Sequence, residues 1–283
     1  RPVYFFTTVT KNYLSYFSPA FFAQKWGAQF QFAIPGQNLL TLPVYLLSLL
    51  GLLSLLTKLK GNKNYQFLLT WLLLSPIAAS LTSDPPQALR PNPLIPALII
   101  IASLGLFFLW EKLPKKLIGI VFVVTAVWIT YAFVFYIVKY NTQYKITYSS
   151  SWQYGYSQVM NFVKDHGHEY ENIFITKRYG EPHIFYAFYT KLTPEKIQPG
   201  KDNIRFEKSD WFWTDKIDNV LFVNDWQIPI ITIAALPLES GGEISTARSL
   251  LITSPDHIPV NAHVIETINF LDGTPAFIIT RVP

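Results

Sequence analysis

Two short segments concentrate the side chains that could do chemistry. SDPPQALRPNPL (83–94) holds Asp84 and Arg90. A guanidinium suits a bidentate phosphate contact; Arg90 could equally anchor at a membrane surface or contact Asp84. Asp84 could orient Arg90, hold a metal or meet sugar hydroxyls, or it could simply shape the turn before Pro85-Pro86. KRYGEPH (177–183) crowds Lys177, Arg178, Glu181 and His183 into one turn after a strand. Loops at strand ends often carry sites, so contact with a polar ligand is the chemical reading. The plain reading is a helix start, with Glu181 on the dipole and His183 packed in the first turn.

Two further groups invite attention. Trp211, Phe212 and Trp213 could stack on a sugar, plug a core or touch a membrane surface. His166, His168 and Glu169 suggest a metal, yet a solvated helix end explains them as well. Around KRYGEPH no second His or acid stands at a clear ligand spacing, so no metal site is expected there either.

The elements that must position these residues come from composition. Half of the 283 residues are hydrophobic and only 14% are charged, against about 25% in soluble domains. Through Lys139 the chain has 11 Lys+Arg and two acids, Asp84 and Glu111; beyond it, 12 Lys+Arg and 16 Asp+Glu. All five His lie in the second part. An apolar basic half therefore precedes an ordinary globular half. The basic excess sits beside apolar runs, so no nucleic-acid partner is expected. Without cysteine, neither disulfides nor Cys-ligated metals are possible. Residue 1 is Arg, and the expectation is a chain that begins inside a longer or processed product.

Four uncharged segments predict transmembrane helices: 39–57, 65–82, 94–110 and 117–138. The 58–64 loop carries Lys58, Lys60 and Lys63, and the 111–116 loop carries Lys112, Lys115 and Lys116. The positive-inside rule puts both in the cytoplasm. Residues 1–38, an aromatic interfacial segment, then lie outside. So do the 83–93 loop and everything from 140 to 283. No charge inside a span marks a transport pathway.

From 140 onward the pattern predicts an α/β domain. Helices are expected over 151–165 and 181–192. Strands are expected over 172–176, 203–207, 220–224 and 250–253. Segments 264–270 and 276–281 flank Asp272-Gly273, a hairpin signal. Segment 225–242 reads as a loop insertion. The fold class is thus an α-helical transmembrane bundle of four helices over 39–139, followed by a small extracytoplasmic α/β domain.

NYLSYFSPAFF (12–22), PGQNLLTLPVYLL (35–47), SPIAASLTSDPPQALRPNPLIPALI (75–99) and ITKRYGEPHIFYAFY (175–189) occur in that order. Together they resemble the C-terminal portion of bacterial C-type membrane glycosyltransferases, nearest the protein-O-mannosyltransferase and aminoarabinose-transferase group. The resemblance covers most of the chain. It implies a bacterial plasma-membrane enzyme moving a sugar from a polyprenyl-phosphate donor to a glycan, lipid or protein acceptor outside the cytoplasm. It needs no cofactor beyond the donor, with a divalent metal left open. ALRP (88–91) matches the family pattern and implies lipid-phosphate contact at Arg90. The family's base lies in an outer loop near its N-terminus, which this chain lacks. The alternative is a non-enzymatic, membrane-anchored protein that binds carbohydrate or assists envelope assembly.

Overall fold

A computed structural model describes residues 2–22, 33–82, 86–198, 200 and 203–283. The chain divides into two compact units, Arg1–Thr142 and Gln143–Pro283, close to the break in composition after Lys139.

Unit 1 is helical among its described residues: α1 Pro2–Ser15, α2 Pro19–Phe22, α3 Leu42–Thr57, α4 Lys63–Leu74, α5 Ile77–Ser80, α6 Leu94–Lys112 and α7 Lys115–Lys139. Two helical runs are long and apolar enough to cross a bilayer: α6 and the run Lys115–Thr147, which continues α7 through a π-turn (Tyr140–Tyr144) and α8 (Lys145–Thr147). The expectation of four spans is corrected to these two. Pro43 sits in the first turn of α3, leaving 16 residues, about 24 Å at 1.5 Å per residue against a hydrocarbon core of about 30 Å. The 65–82 segment is two pieces. A proline ring clashes with the preceding turn and offers no N–H, so α4 stops before Ser75-Pro76 and only the short α5 follows. Ser75 turns its hydroxyl onto the Trp71 carbonyl (2.7 Å).

The core of unit 1 gathers Tyr16, Phe21, Leu55, Leu72, Leu94 and Ile101. Its closest packing is α3 against α6, through Ser48, Gly51 and Ser54 on one side and Ala97, Ala102 and Gly105 on the other. A Cβ on Gly51 would lie 1.7 Å from the Ile101 carbonyl oxygen, and one on Gly105 2.0 Å from that of Leu47. Small residues let helix backbones approach closely where lipid provides no hydrophobic drive. Gly51→Val is therefore expected to abolish the monodisperse gel-filtration peak in mild detergent. Gly119→Val should behave as the parent, because a Cβ there meets nothing within 4 Å. A normal Gly51→Val profile would disprove the close crossing.

Unit 2 contains α9 (Tyr156–His166), β1 (Ile173–Thr176), α10 (Pro182–Thr190), α11 (Pro194–Ile197), β2 (Ile204–Lys208), β3 (Trp211–Ile217) and β4 (Val220–Val223). It continues with β5 (Ala235–Pro237), β6 (Glu243–Ser245), β7 (Ser249–Thr253), β8 (His263–Asn269) and β9 (Pro275–Val282). Seven strands form one sheet in the order β2-β3-β4-β1-β7-β9-β8, and β5-β6 form a separate hairpin. β1 runs parallel to β4 and β7; the remaining pairs are antiparallel. The fold is therefore mixed α/β, as the sequence predicts.

β1, β4 and β7 are buried on both faces, which is why they read as unbroken apolar runs. On one face Val159, Met160 and Tyr186 of α9 and α10 cover Ile173, Ile175, Phe222 and Ile252. On the other, Ile228, Ile233, Leu236 and Leu238 cover Phe174, Leu221, Val223 and Leu251. Segment 225–242 is thus a covering layer of the core, not a loop insertion. The helix expected over 151–165 begins regular α structure only at Tyr156, after Gly155 at φ +109°. β3 has no counterpart in the sequence reading. Its turns use Ser209, Asp210 and Asp218 at positive φ, so the usual glycine signal is missing.

Candidate functional site

The parallel strands bring three loops to one edge of unit 2. β1 ends in Thr176-Lys177-Arg178, β4 in Asn224-Asp225 and β7 in Thr253-Ser254. Ligands in open α/β sheets bind outside the carboxyl ends of such strands, because connections leave in opposite directions there and open a crevice.

Asp225 is the hub of the first cluster. It is buried. It accepts from the Thr176 hydroxyl on Oδ1 and from the Ser254 hydroxyl on Oδ2 (2.6 Å). Arg178 Nη1 stands 3.5 Å from Oδ2, and the Arg178 backbone N–H donates to Thr176 Oγ1 (3.1 Å). The Arg178 side chain remains 47% exposed, so Asp225 steadies a guanidinium whose outer half faces solvent. Two hydroxyls, Tyr156 and Thr253, are buried without a hydrogen-bond partner. Burial holds the Tyr156 hydroxyl far above the ordinary tyrosine range, and the charges of Tyr179 and Asp225 push the same way. That hydroxyl stays protonated and able to donate.

The second cluster is an ion network. Lys177 Nζ donates to Asp215 Oδ1 (2.5 Å) and Glu239 Oε2 (3.2 Å). Lys208 Nζ meets Glu239 Oε1 at 2.9 Å. The Ser240 N–H donates to Asp215 Oδ2 (2.7 Å), and Asn224 Nδ2 donates to Glu239 (2.9 Å). Burial works to raise Glu239, but hydrogen bonds from Lys208, Asn224 and Lys177 and the Lys177 charge outweigh it and bring its pKa to about 2. Trp213 and Phe206 each place a ring 5.9 Å from Lys177 Nζ, a cation–π arrangement around the same ammonium.

The residues singled out in the sequence separate into different roles. Arg178 belongs to the Asp225 cluster. Glu181 and His183 pair with each other instead, Oε2 to Nε2 at 3.6 Å. His183 also lies edge-on to Phe222. Burial lowers its pKa; Glu181 opposes that shift, while Arg205 and Lys177 add to it. It is a packed, neutral first-turn residue at pH 7. Among the described residues no hydrogen bond or ion pair joins Arg178 to Glu181 or His183. Trp213 covers Lys177, whereas Trp211 and Phe212 are exposed, with Arg205 5.1 Å from the Phe212 ring centre. His166 Nδ1 meets Glu169 Oε1 at 2.9 Å on an exposed helix end. The described residues contain no group of three His, Cys, Asp or Glu that could hold a metal.

In unit 1, Arg90 is exposed in the turn that leads into α6. Among the described residues it makes no ion pair. Gln87, three residues before it, is buried with its Nε2 unpartnered. Asp84 lies outside the described residues. Elsewhere in unit 1 a groove of about 420 Å³ runs between Trp128, Tyr131 and Phe135 of α7 and the polar Gln37, Asn38 and Thr41. Lys139 Nζ donates to the Pro35 carbonyl (2.6 Å).

Asp215, Asp225 and Glu239 are the site residues that the sequence reading passes over. A signal exists for one of them: Asn224-Asp225 directly follows the apolar run VLFV, where a parallel strand delivers its loop. No family model, curated protein or solved structure matches the chain.

Proposed function

We propose that the chain is the C-terminal portion of an integral membrane glycosyltransferase of the plasma membrane. It transfers a sugar from a polyprenyl-phosphate donor to an extracytoplasmic acceptor. The observation that carries this reading is Arg90, an exposed guanidinium with no ion-pair partner among the described residues, at the head of an apolar helix long enough to cross a bilayer. A lipid phosphate lies at that depth, and a guanidinium together with a helix N-terminus favours it. The aromatic groove along α7 adds a wall suited to an isoprenoid chain. Lys112, Lys115 and Lys116 between the two long apolar helices support a cytoplasmic turn there, with unit 2 outside.

The topology has a direct test. The chain has no cysteine, so single cysteines report cleanly. Position Lys115, in the turn between the two long apolar helices, is expected to resist an impermeant thiol reagent in intact cells, and position Ala247 to react. Labelling at 115 in sealed cells would reverse the orientation. Donor binding is tested with a photoactivatable polyprenyl phosphate. Crosslinking should be competed by the unlabelled phosphate and not by the neutral polyprenol; competition by both would reject a phosphate site.

The second reading, a membrane-anchored carbohydrate-binding or envelope-assembly protein, draws on the state of the carboxylates in unit 2. Asp215, Asp225 and Glu239 are buried or nearly so and already accept two or more hydrogen bonds each. None of the three is poised as a general base. Sugar binding by unit 2 that persists when donor crosslinking fails would favour it.

A further inference from the structure

We infer that the carboxyl edge of the unit 2 sheet is its membrane-facing edge, and that Trp152, Trp211, Phe212 and Trp226 rest in the lipid headgroup region. The inference rests on reading the run Lys115–Thr147 as a membrane span. The first observation is where the chain joins the domain. Directly after that run, Ser149 Oγ accepts from the Leu271 N–H of the β8–β9 turn (3.2 Å). Gln153 Nε2 donates to the Tyr179 carbonyl (2.5 Å), in the loop that follows β1. Both contacts lie at the end of the sheet where β1, β4 and β7 finish. The chain thus enters unit 2 at that end, directly after the run read as a span.

The second observation is what the edge carries. The β2–β3 turn reaches it too, because Lys208 and Lys177 bind the same Glu239 carboxylate. All four tryptophans of unit 2 then belong to this edge: Trp152, Trp211, Trp213 and Trp226. Trp213 is spent on Lys177. The other three are 54%, 56% and 78% exposed, and Phe212 beside them is 55% exposed. Exposed Trp is poorly accommodated in water, yet it is enriched where a bilayer meets water, since the ring is apolar and the N–H is not. The half-exposed Arg178 on the same edge supplies a guanidinium for lipid phosphate. A lipid surface fits this set better than a protein groove, because the rings come from two separate loops and a hairpin around a charged centre.

The test uses the whole chain in lipid nanodiscs. Trp226→Cys and, separately, Trp211→Cys carry a bimane label; Ala247→Cys, exposed just before β7 at the opposite end of the sheet, is the control. The discs contain phosphatidylcholine with a headgroup-attached nitroxide. Labels at 226 and 211 should lose most of their fluorescence, and the label at 247 should keep most of its own. Equal fluorescence at the edge and control positions, in chains that co-elute with the discs, overturns the inference. Chains that fail to co-elute with discs overturn the membrane reading beneath it. Since the nitroxide is carried only by the lipid headgroup, quenching reports proximity to lipid and not to a protein partner.

Discussion

Lys177→Met is expected to destabilise unit 2 by about 3–5 kcal/mol, the range for removing one partner of a buried ion pair. The reason lies in what remains. Asp215 is fully buried, and its carboxylate would keep only the Ser240 N–H. Glu239 would keep Lys208 and Asn224, so most of the loss falls on Asp215. A Lys177→Met/Asp215→Leu double variant should recover most of it, since two apolar groups of similar volume leave no charge unpaired. Hydrogen exchange of the β1, β3 and β4 amides in the whole chain reads both. Unchanged protection in the single variant would show that the network is ornamental. The pH dependence has a definite sign. Glu239 has a folded pKa of about 2 against an ordinary 4.5. Its contribution is therefore fully present above the ordinary value and is lost as pH falls from about 4.5 toward about 2. In Lys177→Met one donor is gone, so the folded-state value should move back up toward the ordinary one, and the loss should be smaller and complete at a higher pH.

On the proposed function, Arg90→Ala is expected to lower sugar transfer on the order of 10²-fold, the usual scale for losing one preorganised group that stabilises developing charge. The leaving lipid phosphate gains charge as the glycosidic bond breaks, so the loss should fall mainly on turnover. Arg90→Lys should recover part of the activity, keeping the charge and losing the planar fork. Stability should barely change, because an exposed loop guanidinium contributes little to folding. The assay uses membranes from cells expressing the whole gene product, with a polyprenyl-phosphate sugar as donor. An anchoring role predicts the opposite pattern, with near-normal turnover in both variants and lower protein yield. Wild-type transfer by Arg90→Ala would remove Arg90 from the site.

Residue type and local period were enough to mark the division near Lys139 and the runs that became α6 and α7. They also marked β1, β4, β7 and the β8–β9 hairpin. Those features depend on neighbours within a turn or on strict burial of both strand faces, so a short window of sequence contains them. The 65–82 segment shows the limit of that window. Its composition suits a span, but one proline at position 76 decides the backbone, and apolar content says nothing about it. The network around Lys177 shows a second limit. Asp215 and Glu239 stand 38 and 62 positions away from Lys177, and nothing local marks either as its partner. Only the parallel pairing of β1 with β4, and the return of the 225–242 layer across the sheet, bring the three together. The edge on which Trp152, Trp211 and Trp226 gather was likewise decided by tertiary structure. Strand direction is a property of the assembled sheet, since a strand has the same side-chain period whichever way it runs.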